Sequence, residues 1–275
     1  MSQTVHVDPI LLSKVTKPAR YVGGEWNSVV KNHADVKFTV AYAFPDVYEV
    51  AMSHLGLRIL YALLNERDDV AAERVYAPWP DMEAIMREKG YPLYTLETKT
   101  AVRDFDMVGF TLQYEMSFTN ILNMLDLADI PLWAAERGEE YPLVVGGGPC
   151  AYNPEPLAGY FDLFCLGESE ESVQLLADTV IAWKEAGKPG GKKGLLKVLA
   201  GQEGNYVPSF YRDEYDENGD FLRLVPTEAE AEPVIRKCVV ADEETVFFPT
   251  KPIVPNIDIV HNRAVLELFR GCSRG

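Results

Sequence analysis

The chain has 275 residues, 47% hydrophobic and 25% charged, an ordinary balance for a globular protein and enough for a large buried core. A formal net charge of -16 sets it against phosphate backbones and anionic membrane surfaces, which argues against nucleic acid as a partner. No run comes near the roughly 20 apolar residues of a membrane-crossing helix, and "MSQTVHVDPILLSKV" lacks a basic start followed by an apolar core, so a cytoplasmic location is expected.

In chain order, residues 1–35 read as an N-terminal arm and residues 36–200 as an α/β unit in which short apolar runs alternate with amphipathic ones. The run "VKFTVAYAF" (36–44) is rich in β-formers and stops at Pro45. The stretch "SHLGLRILYALLNE" (53–66) spaces Leu57, Leu60, Tyr61 and Leu64 as one helix face requires, with Ser53 as its expected N-cap. A second strand is expected over 69–78, then a helix over 80–90 capped by Asp81 and stopped by Gly90. Further strands are expected over 91–97, 105–114, 141–148 and 160–168, and helices over 117–130 and 171–187. A doubly wound parallel sheet of about five strands follows, and such sheets bind ligands beyond the carboxyl ends of their strands.

The pattern then changes. "GKPGGKKG" (187–194) reads as a flexible basic hinge or surface loop, and residues 201–257 as a connector. That connector holds a hairpin turning at Asn218 and Gly219, then an extended segment with Pro233, Pro249, Pro252 and Pro255. Residues 258–275, "DIVHNRAVLELFRGCSRG", read as the first strand of a new domain.

The strand-end rule selects four loops. Glycines 146 to 148 allow either a close backbone approach to a ligand or a tight turn, and Pro149 removes the G-x-G-x-x-G dinucleotide pattern. His54 is either a cofactor or metal contact or a histidine hydrogen-bonded at a helix cap. Asp46 and Glu49 fit a solvated loop, and Glu168, Glu170 and Glu171 suit the positive end of a helix. His6, His33 and His261 have no partner at metal-ligand spacing. The cysteines Cys150, Cys165, Cys238 and Cys272 are too scattered for a disulfide framework, and Cys165 fits a small core residue. Cys272 lies between two glycines and two arginines, where basic neighbours favour thiolate, so a reactive thiol and a metal ligand both fit.

Together these stretches resemble the radical S-adenosylmethionine (radical SAM) proteins that carry an N-terminal cobalamin-binding-like domain, over most of residues 20–275. "LELFRGCSRG" is similar to the approach to their C-x3-C-x2-C loop, with Cys272 as first ligand of a [4Fe-4S] cluster. "VVGGGPCAYNPEPLAGYFDLFCLGESEESV" is similar to their strand, glycine loop, acidic spacer, strand and Gly-Glu-x-Glu helix start. "DMVGFTLQYEMSFTN", "DVYEVAMSHLGLRIL" and "RYVGGEWNS" extend the likeness. The D-x-H-x-x-G pattern of relatives that place histidine below cobalt is absent, since Asp46 and His54 are eight apart and Gly56 lies two beyond the histidine.

The resemblance implies a Rossmann-like α/β sheet, cobalamin-binding-like, followed by a hairpin-bearing connector and the first strand of a radical SAM partial TIM barrel. It also implies that the chain stops one residue before the second cysteine. The implied cofactor contacts are His54, Gly56, Thr111, Gln113, Tyr114, Gly146, Gly147, Gly148, Pro149, Gly167 and Glu168, and the implied metal ligand is Cys272. No catalytic residue is assigned. In that superfamily the cluster cleaves S-adenosylmethionine to a carbon-centred radical, and cobalamin, where present, adds methyl transfer. The full-length protein would then be a radical SAM enzyme, with its own barrel and an external electron donor as partners, and these 275 residues would be inactive alone. Two other readings stay open. One is a degenerate Rossmann-like docking or substrate-positioning module without cobalamin, and the other is an independent nucleotide-binding enzyme ending in a reactive Cys272.

Overall fold

The computed structural model describes residues 4–240, 246–268 and 270. Cys272 lies outside the described residues. The elements run α1 (Pro9–Leu12), β1 (Phe38–Phe44), α2 (Tyr48–Ala51), α3 (Leu55–Asn65), β2 (Val70–Tyr76), α4 (Pro80–Lys89), β3 (Met107–Thr111), α5 (Phe118–Leu127), β4 (Leu143–Gly147) and β5 (Leu163–Cys165). There follow α6 (Ser172–Glu185), α7 (Gly191–Ala200), β6 (Asn205–Tyr206), β7 (Tyr211–Tyr215) and β8 (Phe221–Pro226), with short 3-10 turns between.

Among the described residues the first six strands form one sheet in the order β2-β1-β3-β4-β5-β6. β1 to β5 are parallel, and β6 closes the far edge antiparallel to β5. Every residue of β1 is buried, as expected of a central strand covered on both faces. One face packs Tyr42, Val145 and Leu163 under Leu57, Leu64, Val173 and Leu176 of α3 and α6. The other packs Val108, Val144 and Phe164 under Met82, Met86, Ile121 and Leu125 of α4 and α5. The helix following β1 and those following β2 and β3 thus lie on opposite faces, so the order of strands reverses between β1 and β3. Ligand clefts form at such a reversal.

Several local expectations need correction. Residues 91–97 do not form a strand: they make one antiparallel bridge, Tyr94 to Ala101, while the Leu96 amide donates to the Arg74 carbonyl and Glu97 is drawn onto Arg74. An ionic contact holds that stretch beside β2 without extending the ladder. Ser53 does not cap α3, because its hydroxyl donates to the Glu49 carbonyl and the cap is His54. Asp81 accepts from Thr16 of the arm at 2.7 Å, and Trp79 occupies the cap position before Pro80. The supposed basic hinge is the entry to α7, where Gly187, Lys188, Gly190 and Gly191 take positive φ and Lys192 pairs with buried Asp162 at 2.8 Å. Residues 264–268 carry no strand pairing. No helix among the described residues is long and apolar enough to cross a membrane.

The segments outside the sheet are tied to it. β7 and β8 pair as a two-stranded antiparallel sheet whose turn is held by Asp216 accepting from the Asn218 and Asp220 amides. The Val254 amide donates to the Trp26 carbonyl and the Asn256 amide to Tyr48 Oη, strapping the proline-rich segment to the arm and to α2.

Candidate functional site

A cavity of about 300 Å³ opens at the carboxyl ends of β1, β3, β4 and β5, between α3 and α6. Register explains its position. Tyr42, Gly109 and Val145 are aligned neighbours across β1, β3 and β4, and Thr111, Gly147 and Cys165 are aligned one pleat further along β3, β4 and β5. Gly109 lets the Tyr42 ring lie across β3, since a Cβ there would come within 3.3 Å of the ring. The walls are aliphatic, with Leu57 and Leu60 on one side and Val173 and Leu176 on the other.

Of the residues expected at a cofactor, His54, Gly56, Thr111, Gln113, Gly146, Gly147, Gly148 and Gly167 line this cavity. Gly148 has φ 108° and ψ -177°, a conformation essentially confined to glycine, and a Cβ on it would lie 2.9 Å from the Leu112 carbonyl oxygen. That strain turns the chain away at the strand end and leaves the rim low. Gly146 serves packing as well, because a Cβ there would meet Phe164 and Leu112 at about 3.0 Å on the opposite face of the sheet. Three expected residues stand apart from the lining. Tyr114 is 61% exposed, and Pro149 starts a 3-10 turn. Glu168 is turned toward the connector: its carboxylate accepts from the Val240 amide, and its own amide donates to the Cys238 carbonyl.

His54 has a definite protonation geometry. Its Nδ1 accepts from the Leu57 amide at 3.1 Å as the cap of α3, and Gly56 leaves room for the ring, a Cβ there coming within 3.0 Å of it. In a neutral imidazole the proton then sits on Nε2, which has no lone pair for a metal. Burial lowers its pKa, a nearby Arg58 lowers it further, and a hydrogen bond with Gln113 opposes them. His54 therefore faces the cavity as a neutral donor, and its geometry does not fit a cobalt ligand.

The floor was not apparent in the sequence as part of a site. Tyr42 is 4% exposed, and its hydroxyl is buried with no hydrogen-bond partner among the described residues. Burial holds this phenol well above its usual pKa and pushes the Cys165 thiol up to about 12, so both stay protonated and Cys165 is not a reactive thiol.

The mouth is bounded by Arg270, two residues before Cys272. Its guanidinium meets Glu170 at 2.5 Å, Glu267 at 2.9 Å and Glu168 at 3.7 Å, and Glu170, Glu267 and Arg270 all belong to the lining. Glu168 and Glu170, just ahead of α6, thus grip the segment that leads to the expected cluster cysteine, and Glu267 braces Arg270 from within that segment. Among the described residues no three His, Cys, Asp or Glu side chains converge to hold a metal ion.

Comparison with known proteins supplies a family. The family described as "Radical SAM proteins, N-terminal" matches residues 56–208. A curated relative, "Uncharacterized protein MJ0966" of Methanocaldococcus jannaschii, is 27% identical over 139 residues, which is 50% of this chain and 25% of that protein. The match thus spans about a quarter of the relative's length. No solved structure matches the chain significantly.

Proposed function

We propose, for a chain that belongs to the family of radical SAM protein N-terminal regions, that it is the cofactor-holding N-terminal module of a radical S-adenosylmethionine enzyme and that its strand-end cavity receives a corrinoid. The observation that carries this reading is the join of a low, glycine-built rim at the sheet's order reversal with an aliphatic slot of about 300 Å³ behind it. A flat macrocycle can rest on Gly147, where a Cβ would meet only the Cys165 carbonyl at 3.7 Å, with the Gln113 amide beside Gly148, while the slot takes a narrower appendage. Gln113 and Thr111 supply hydrogen-bonding groups at the rim for the amide-bearing edge of such a ligand. His54, neutral and already bonded through Nδ1, donates from Nε2 and does not coordinate. Leu57, Leu60, Val173 and Leu176 exclude water from the slot.

A bound corrinoid would supply methyl-transfer chemistry, and a [4Fe-4S] cluster with S-adenosylmethionine would supply carbon-centred radicals to the intact enzyme. The cluster's expected first ligand, Cys272, lies outside the described residues, and no step is assigned to it. On this reading the partners are the enzyme's own radical SAM barrel and an external electron donor, and the reaction is methyl transfer or another activation of a C–H bond.

The test is direct. The purified 275-residue protein is mixed with hydroxocobalamin, freed of excess by gel filtration and examined by visible absorption. Retention of about one corrinoid per chain is the expected outcome. A folded but colourless protein would overturn the corrinoid assignment and leave a docking module for the barrel as the reading to pursue.

A further inference from the structure

A second cleft, of about 260 Å³, opens at the other end of the sheet, where Asp106 and Leu143 stand at the amino ends of β3 and β4 and α6 and α7 flank the opening. It shares no lining residue with the strand-end cavity, so what it binds is independent of the corrinoid reading. Phe105, Leu143, Val180 and Leu195 give it a buried apolar wall. Its volume, just under the roughly 300–1,000 Å³ of sites for drug-sized molecules, calls for a compact ligand.

The charged groups of this cleft are unevenly engaged. Lys184 is fully occupied, donating to both oxygens of Asp106 at 2.7 and 2.8 Å and to the Lys37 carbonyl at 2.7 Å. Lys192 is not. Its side chain is 16% exposed and its counter-ion is shared: Asp162 Oδ1 pairs with Lys192 at 2.8 Å, while Oδ2 accepts from Arg137 at 3.2 Å and from the Val144 amide at 2.9 Å. One buried carboxylate thus serves two cations, and burial lowers the Lys192 pKa although Asp162 opposes it. An ammonium has three donors, and beyond Asp162 the one partner of Lys192 among the described residues is the Arg137 carbonyl at 3.4 Å. An anion in the cleft would improve both its charge balance and its hydrogen bonding.

Two carboxylates line the same cleft without reaching that ammonium. Glu139 and Glu140 are exposed and form no ion pair among the described residues. Glu139 packs against Gly191 at the start of α7 and Glu140 folds against Gly138, each so closely that the glycine could not carry a Cβ. Opposite charges held in one cleft beyond ion-pair distance leave room for a molecule that carries both. A simple anion would reach Lys192 but face two carboxylates, and a simple cation would meet the reverse.

We propose that this cleft binds a compact zwitterion, an α-amino acid with an apolar side chain, whose carboxylate meets Lys192 and whose ammonium meets Glu139 and Glu140. The side chain lies on the apolar wall, and a ligand lacking either charge leaves one side of the cleft unpaired.

The experiment is isothermal titration calorimetry on the 275-residue protein with L-phenylalanine, L-leucine, 3-phenylpropionate, which lacks the ammonium, and 2-phenylethylamine, which lacks the carboxylate. At least one of the two amino acids is expected to bind saturably with a Kd of about 1 mM or tighter, and each single-charge analogue about 10-fold or more weakly, the loss expected for one charged hydrogen bond. Glu139→Gln combined with Glu140→Gln removes exposed charges that hold no described ion pair, so the fold should persist. That double variant should bind the amino acid about 10-fold more weakly and bind 3-phenylpropionate no worse than the wild-type chain. Lys192→Met should abolish binding of the amino acid, but it also unpairs Asp162, so the ligand series and the double variant decide. No saturation by either amino acid at about 10 mM overturns the inference. So does a single-charge analogue that binds as tightly as the zwitterion, and so does a double variant that discriminates as the wild-type chain does.

Discussion

Two buried polar regions of this molecule differ in how they are completed. Along β2, charge is dense and nearly closed on itself: Arg74, 2% exposed, donates to Glu25 at 2.8 Å and Glu97 at 2.6 Å and faces Met52 Sδ at 3.1 Å. Beside it Glu73 takes His33 at 2.6 Å, Thr95 at 2.5 Å and Thr98 at 2.8 Å. At the strand ends charge is confined to the mouth, where Arg270 meets Glu168, Glu170 and Glu267, while the cavity behind is mostly apolar, with glycines on the rim and the Tyr42 hydroxyl without a partner among the described residues. Strongly perturbed ionisation usually draws attention as a sign of function. Here burial raises the Glu97 pKa against the pull of Arg74, yet this region only clamps the N-terminal arm and the turn at 95–100 onto the sheet. The quieter region has the shape of a site.

The largest test of that contrast is Arg74→Met. It leaves Glu25 and Glu97 buried without their cation and should cost about 3–5 kcal/mol in urea unfolding. Ligand retention per folded molecule should not change, and a variant that stays folded but loses corrinoid would dissolve the distinction between clamp and site. Gly148→Ala should reverse the pattern. Its φ of 108° and the 2.9 Å approach to the Leu112 carbonyl imply a cost of roughly 1–3 kcal/mol, together with loss of ligand retention well below the unfolding transition.

Acid should act first on clamps of the first kind. Burial alone would raise the Glu49 pKa, but hydrogen bonds from Arg20 and Lys17 bring it down to about 2 from an ordinary 4.5. A carboxylate depressed in the folded state contributes stability above its unfolded pKa and loses it as pH falls through the folded one, here between about 4.5 and about 2. Glu49→Gln should flatten that limb of the stability curve by about 1 kcal/mol, the pair being partly screened by solvent. The smallest effect is expected from Arg270→Gln, worth no more than about 1 kcal/mol and dependent on salt. It should speed backbone hydrogen exchange in residues 264–268 while leaving α3 and α6 unchanged, and an unaltered exchange rate would mean that the clasp at the cavity mouth does not hold the segment.

The sheet was legible because its strands are short apolar runs bounded by turn residues and its longer helices have a clear apolar face. Five of the expected strands and the helices at 53–66, 80–90, 117–130 and 171–187 have counterparts in the structure, within a few residues at their ends. What failed were places where a contact distant in sequence overrides a local pattern. Residues 91–97 look like a strand until Arg74 claims Glu97, and α7 was hidden behind glycines that resemble a linker until Lys192 finds Asp162. The candidate site was half visible. Its rim is written in glycines and a histidine, which a strand-end rule can find. The floor was not, because Tyr42 is an ordinary β-former in sequence and acquires meaning only beside Gly109, 67 positions away and one strand over. Arg270 reaches its carboxylates from a hundred residues downstream, a distance no local pattern spans.

The place of β1 bears on how the chain can be divided. It is hydrogen-bonded to β2 on one side and β3 on the other, and it contributes Tyr42 to the cavity. The stretch shared with the family, residues 56–208, begins after this strand. A protein trimmed to that stretch would have an empty lane one strand in from the edge of its sheet, with β2 and β3 facing each other across the width of a missing strand and Arg74 deprived of Glu25. The region recorded by shared ancestry is therefore smaller than the region the sheet needs to be complete. Complementation by a separate peptide spanning residues 20–55 would restore both at once.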